Sequence, residues 1–274
     1  RLAVDVPAGF VTVTNGRLAS ESTAAGRTRT EWEHAPGAGD VALLAAPGLR
    51  RSVGVRNGVT VDVLASRLAD EELDATRDEI ARAVEALVRL VGAPLPSPVL
   101  RVAYAPRPGW GYVRSPLVLM SEESALSLRG QPFGRARDMR YVAHEVAHSW
   151  WHRADAATPD DWINEGLSEY SAYLVAEELV GHAFARTLLE EYEGRSDDSA
   201  TVASIAETPN GSPDREVNRY ARPVLLLEDA RRRHGDGRLE AFLRALQRRL
   251  STGPATTSTF LEEVAASLGR EERD

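Results

Sequence analysis

Cysteine is absent from the 274 residues, which excludes disulfides and any metal site built on thiolates, and leaves the redox compartment open. Lysine is absent too, so all 33 basic residues are arginine. The formal net charge is −8 and no basic run exceeds Arg231-Arg232-Arg233, a balance that argues against a nucleic-acid surface. That triplet reads as the cationic end of a helix, complementing its dipole. No apolar run approaches membrane-spanning length, and no secretory signal pattern opens the chain. Compartment and oligomeric state are therefore not legible. What is present is enough apolar residue, 43%, to bury a proper core in one large domain or two.

Against that background one run carries chemistry: His144-Glu145-Val146-Ala147-His148. Helical spacing puts His144 and His148 one above the other on a single face. Two neutral imidazoles there can bind one Zn²⁺, and Glu145 beside them can reach a water held by the metal. Asp138 is the expected N-cap, and residues 139–151 contain neither Gly nor Pro. Alone, the pentapeptide also suits an ordinary amphipathic helix with two partly buried histidines.

The next segment offers a third ligand. Asp160-Asp161-Trp162 begins with a capping signal, and the chain then reads as helix to about Val180, with Glu165 one turn in. Two His and one Glu, with a fourth position left for water, is the catalytic zinc arrangement. Glu169 shares the face of Glu165 and can bond a ligand imidazole from behind, or else be a solvated surface carboxylate. Asn164 is grouped with it as a supporting residue.

These residues bring a family into view. His-Glu-Val-Ala-His-Ser-Trp from His144, followed by Trp-Ile-Asn-Glu-Gly-Leu-Ser-Glu-Tyr from Trp162, resembles the gluzincin aminopeptidases, the family of aminopeptidase N and leukotriene hydrolase. The resemblance implies that Glu165 is the third zinc ligand. It also implies that Tyr220, in the run from Asn218 to Leu227, stabilises the transition state. The expected activity is zinc-dependent hydrolysis of a peptide substrate, with Glu145 as general base. Two alternatives stand beside it: a related zinc hydrolase with a non-peptide substrate, and a non-catalytic zinc-bearing module that binds peptide or a partner. Residues 149–164 separate His148 from Glu165, two fewer than the family spacing, and the deletion is expected in the turn at 153–159.

The family's substrate-binding edge strand maps onto Gly111-Tyr112-Val113-Arg114-Ser115-Pro116. Gly111 and Pro116 keep the frame. Arg114 stands where the family has the Glu that binds the substrate's free amine. A cation in the cleft would repel an ammonium and favour carboxylates, leaving terminus specificity in doubt; otherwise Arg114 points to solvent.

Around these motifs the chain reads as α+β. Residues 1–64 alternate like strands, with Asn15-Gly16 as a hairpin signal, and resemble a partial N-terminal β domain. Residues 65–274 read as a thermolysin-like catalytic domain, mostly helical toward the C-terminus. Asp70 opens a helix whose Leu73, Ile80, Val84, Leu87 and Val91 form a core stripe, closed by Gly92. Residues 194–214 read as a polar loop, Pro223 as the first turn of a helix, and Thr259-x-x-Glu262 as a capping box.

Overall fold

The structure is a computed structural model and describes residues 1–35, 40–109, 111–196, 205, 207–208 and 212–269. Much of the loop expected at 194–214 lies outside them. The chain forms two compact units, residues 1–82 with 96–145 and residues 83–95 with 146–274. The divisions fall inside two continuous helices, α1 (Asp70–Val91) and α3 (Gly134–Ala147).

In the first unit, β1 (Leu2–Pro7), β4 (Arg27–Glu33) and β3 (Arg17–Ala24) form an antiparallel sheet in that order, and β2 (Phe10–Thr14) pairs with β5 (Leu43–Pro47). A five-stranded sheet follows in the order β6 (Arg50–Arg56), β7 (Val59–Ala65), β8 (Val99–Ala105), β10 (Leu117–Ser121), β9 (Gly111–Arg114). Its three middle strands run parallel and are buried almost continuously, as strands covered on both faces must be. Val13 and Ala42 pack with Leu64, Ala103, Leu117 and Leu119, joining the small sheet to the large one.

Asn15-Gly16 is not a hairpin turn. It links β2 and β3, which belong to different sheets; the hairpin is at Ala25-Gly26, where φ is 50° and 74°. Asn15 instead accepts from the Ala42 N–H (3.1 Å) and donates to the Asp40 carbonyl (3.0 Å), holding the chain that enters β5. The stripe on α1 is buried as expected, and Gly92, at φ 71°, donates to the Val88 carbonyl to close the helix.

Asp138 is not an N-cap either. Helix α3 begins at Gly134, because a Cβ there would lie 2.1 Å from the Leu128 carbonyl oxygen and glycine alone permits the tight turn out of α2 (Glu122–Arg129). Asp138 therefore sits inside the helix, buried, and accepts a hydrogen bond from the Tyr104 hydroxyl at 2.9 Å. Burial raises its pKa from 3.8 to about 6. The folded protein then keeps a proton that the unfolded chain has released, so stability falls as pH rises from 4 to 6, by up to about 3 kcal/mol. Asp138→Asn should remove that slope, seen as a gain in melting temperature over wild type that grows between pH 4 and 6.5.

The second unit is built around α4 (Trp162–Val180). From Trp162 to Ala176 only Glu165 and Leu174 are not fully buried, so this helix is enclosed by its neighbours. Around it lie α5 (His182–Glu193), a π-helical turn (Val217–Ala221) running into α6 (Arg222–His234), α7 (Asp236–Thr252) and α8 (Thr257–Ser267). The last cap is Thr256, whose side chain accepts from the Thr259 N–H at 3.2 Å; Thr259 itself is inside the helix, so the expected capping box is displaced by three residues. Among the described residues no helix is long and apolar enough to cross a membrane.

Candidate metal centre

Helix α3 ends by tightening. Ser149 donates to the Val146 carbonyl (2.8 Å) and Trp150 to that of Ala147 (3.0 Å), three-residue bonds that place His148 on the closing turn, one turn beyond His144. The Nδ1 of His148 lies 2.9 Å from the Trp151 carbonyl oxygen, which can only accept, so Nδ1 carries the proton. The Ser168 hydroxyl oxygen lies 3.1 Å from the same nitrogen. Nε2 is the nitrogen turned toward Glu165, with Oε2 at 3.4 Å.

One ligand atom from each of His144, His148 and Glu165 lies within 4.8 Å of the others. Among the described residues this is the one group of three or more His, Cys, Asp or Glu side chains placed to hold a metal ion. Two imidazole nitrogens and one carboxylate oxygen fit Zn²⁺ in its catalytic form.

The loop before Glu165 is tied at both ends. Asn164 accepts from the Ala154 N–H and donates to the Ala154 carbonyl, both at 3.0 Å, and also donates to Asp161 Oδ1. Between those anchors Asp155 accepts from the Ala157 N–H (2.9 Å), and its carbonyl accepts from the Thr158 N–H (3.0 Å). Local turn bonds close the loop in few residues and bring Glu165 to the histidines.

Solved structures share this architecture. An M1 zinc metallopeptidase from Deinococcus radiodurans matches with a TM-score of 0.73 at 22% identity. A Glu-to-Ala variant of it matches at 0.75 and 22%, and the variant bound to a Tyr-Ser-Ala substrate at 0.72 and 20%. Each covers 99% of this chain, which spans 61% of theirs. No protein-family model and no curated protein matches the chain. The chain has the fold of the M1 zinc metallopeptidases. That fold and the His-His-Glu group are together consistent with Zn²⁺ binding.

Within this M1 fold, Tyr220 lies in the π-helical turn just before α6. Its hydroxyl bonds Glu165, and burial first, then the Glu165 charge, raises its pKa well above the ordinary tyrosine value. Gly166 makes this possible: a Cβ there would meet Pro223 Cβ at 2.6 Å, so only glycine lets α4 pack against the start of α6. Glu169 is 5% exposed and accepts from the Tyr192 hydroxyl at 2.5 Å, so it is not a solvated surface carboxylate.

Glu145 faces the edge strand. A Cβ on Gly111 would lie 3.1 Å from Glu145 Oε1, so the β9 backbone runs closely past that carboxylate. Strand alternation puts Val113 on the face of Gly111, and Tyr112 and Arg114 on the other. There Arg107 and Arg114 lie over the Tyr112 ring at 5.2 and 5.7 Å, and Arg114 Nε is 3.3 Å from Asp40 Oδ2. Arg114 is exposed on that outer face.

Two residues of the centre carry no motif signal. Arg219, just before Tyr220, bonds the buried Asp161 carboxylate and reaches Glu165 Oε1 at 3.2 Å. Asp161, read from the sequence as part of a capping signal, stands four residues before Glu165 and makes no side-chain cap bond; its carboxylate serves Arg219 instead.

Proposed function

We propose that the chain is a zinc-dependent metallopeptidase of the aminopeptidase N and leukotriene hydrolase kind, in which His144, His148 and Glu165 hold the metal. The observation that carries this reading is the convergence of His144, His148 and Glu165, whose ligand atoms lie within 4.8 Å of one another. When bound, zinc polarises the scissile carbonyl and lowers the pKa of the attacking water. Glu145 takes the proton from that water at a carboxylate oxygen and passes it to the leaving amine. Tyr220 swings its hydroxyl proton from Glu165 to the oxyanion that develops on the substrate. Substrate backbone lies along β9, where Gly111 leaves room beside Glu145 and Tyr112 lines the opposite face of the strand. Asn164 and Glu169 keep Glu165 and its helix in place, the first through the loop and the second through Tyr192. Residues 1–64 are taken as a β domain and 65–274 as the catalytic domain.

The peptide bound to the related Deinococcus variant makes a short peptide the natural first substrate. Elemental analysis of the purified chain should find one zinc per molecule, and His148→Ala should lose it. A fully loaded His148→Ala protein would sink the ligand assignment. Digestion of a peptide library, with and without a chelator, tests the activity; metal-dependent turnover of an epoxide or ester with no cleavage of peptides would favour the non-peptide alternative. With its side chain turned to the outer face of β9, Arg114 does not by itself reject amines. Arg114→Glu should therefore leave the ratio of kcat/KM for free and acetylated N-termini essentially unchanged. A large shift toward free amines would put Arg114 in the cleft.

A further inference from the structure

We propose that Arg219 is a positioning residue for the metal ligand Glu165, occupying one carboxylate oxygen so that the other is left to face the metal. The inference rests on the zinc-peptidase reading above and deepens it. One guanidinium nitrogen, Nη2, donates to both Asp161 Oδ2 and Glu165 Oε1, the second at 3.2 Å. The remaining oxygen, Oε2, is the one that faces His148 Nε2. A carboxylate with both oxygens free can meet a metal through either or through both. With Oε1 tied to a fixed donor, beside the bond from the Tyr220 hydroxyl, the carboxylate is held with Oε2 toward His148.

A bare guanidinium beside a divalent cation would repel it, so the arrangement needs a counter-charge. Asp161 supplies one. It is buried, its Oδ1 is held by Asn164 at 3.0 Å, and Arg215 Nη2 stands 3.5 Å from its Oδ2. The Asp161–Arg219 pair therefore presents a rigid hydrogen-bond donor with its charge largely cancelled. Backbone packing fixes the donor as well, since a Cβ on Gly166 would come within 3.3 Å of the Arg219 carbonyl oxygen.

The arrangement also costs stability. Arg219 is largely buried, and its Nε has no hydrogen-bond partner among the described residues. An arginine serving stability alone would gain by reaching water, whereas one that must hold a ligand carboxylate has to stay.

The test measures zinc affinity by competition with a chromogenic chelator in wild type, Arg219→Met, Arg219→Lys and Asp161→Asn, on protein shown by circular dichroism to be folded without metal. Arg219→Met should weaken zinc binding roughly 10–100-fold and alter the visible absorption of the cobalt-loaded protein while it stays folded without metal, even though its melting temperature falls because Asp161 loses a partner. Arg219→Lys, which keeps the charge and one donor, should recover part of the loss. Asp161→Asn should weaken zinc in the same direction, because it leaves the cation uncompensated. Wild-type affinity and an unchanged cobalt spectrum in Arg219→Met would overturn the proposal. If that variant does not fold, the same result in Asp161→Asn overturns it. A wild-type chain that binds no zinc at all would instead overturn the metallopeptidase reading itself.

Discussion

Glu145→Gln should bind zinc as tightly as wild type and lose about 10²–10⁴-fold in kcat/KM, roughly 2.7–5.4 kcal/mol of transition-state stabilisation. The amide matches the carboxylate in size but cannot accept the water's proton. Glu145 is not among the grouped ligand atoms, so the substitution spares His144, His148 and Glu165. Its neighbour on β9 is Gly111, which tolerates either side chain because it has none of its own. Zinc content by elemental analysis and steady-state kinetics on one short peptide decide the matter together. Loss of zinc with loss of rate would make Glu145 a structural residue. Full zinc with near-normal turnover would move the proton transfer to another group.

How much of this was legible before folding depends on whether the signal is local. The His144 and His148 pair, and Glu165 one turn into α4, follow from helical spacing, which a sequence displays directly. The α1 stripe is equally local, and every member is buried. The misreadings are at caps and turns, where several residues compete. Asn15-Gly16 has turn chemistry, yet its neighbours pair with other strands, and only the sheet order reveals that. Thr256, Thr257 and Thr259 all suit a cap, and the first wins because its side chain accepts from the Thr259 N–H. Asp138 preceded the motif like a cap but serves Tyr104, 34 positions away in sequence. β6 is an edge strand carrying Arg at three of its seven positions and Gly at a fourth, so its apolar alternation is weak and a pattern search passes over it. The Asp161–Arg219–Glu165 bridge was illegible for the most basic reason. It joins positions 58 and 54 residues apart through α4 and a π-helical turn that no propensity announces.

That π-helical turn is also where the last large effect is expected. Tyr220→Phe should keep the fold and the metal and lose about 2.7–4 kcal/mol in kcat, on the order of 10²–10³-fold, with KM little changed. The ring is partly buried beside Glu165, and phenylalanine fills the same space, so packing survives. Glu165 keeps its bonds to Arg219 and its approach to His148, neither of which uses the tyrosine hydroxyl. Burial first, and then the neighbouring carboxylate, oppose ionisation of the Tyr220 hydroxyl, which favours its acting as a proton donor. Its removal should therefore lower kcat by the same factor at every pH, without a new alkaline limb in the profile. The comparison is of kcat against pH for the two proteins with zinc content matched. A variant that keeps nearly all of its kcat would assign the oxyanion to another donor, and a variant that loses zinc would mean that the hydroxyl holds Glu165 rather than the transition state.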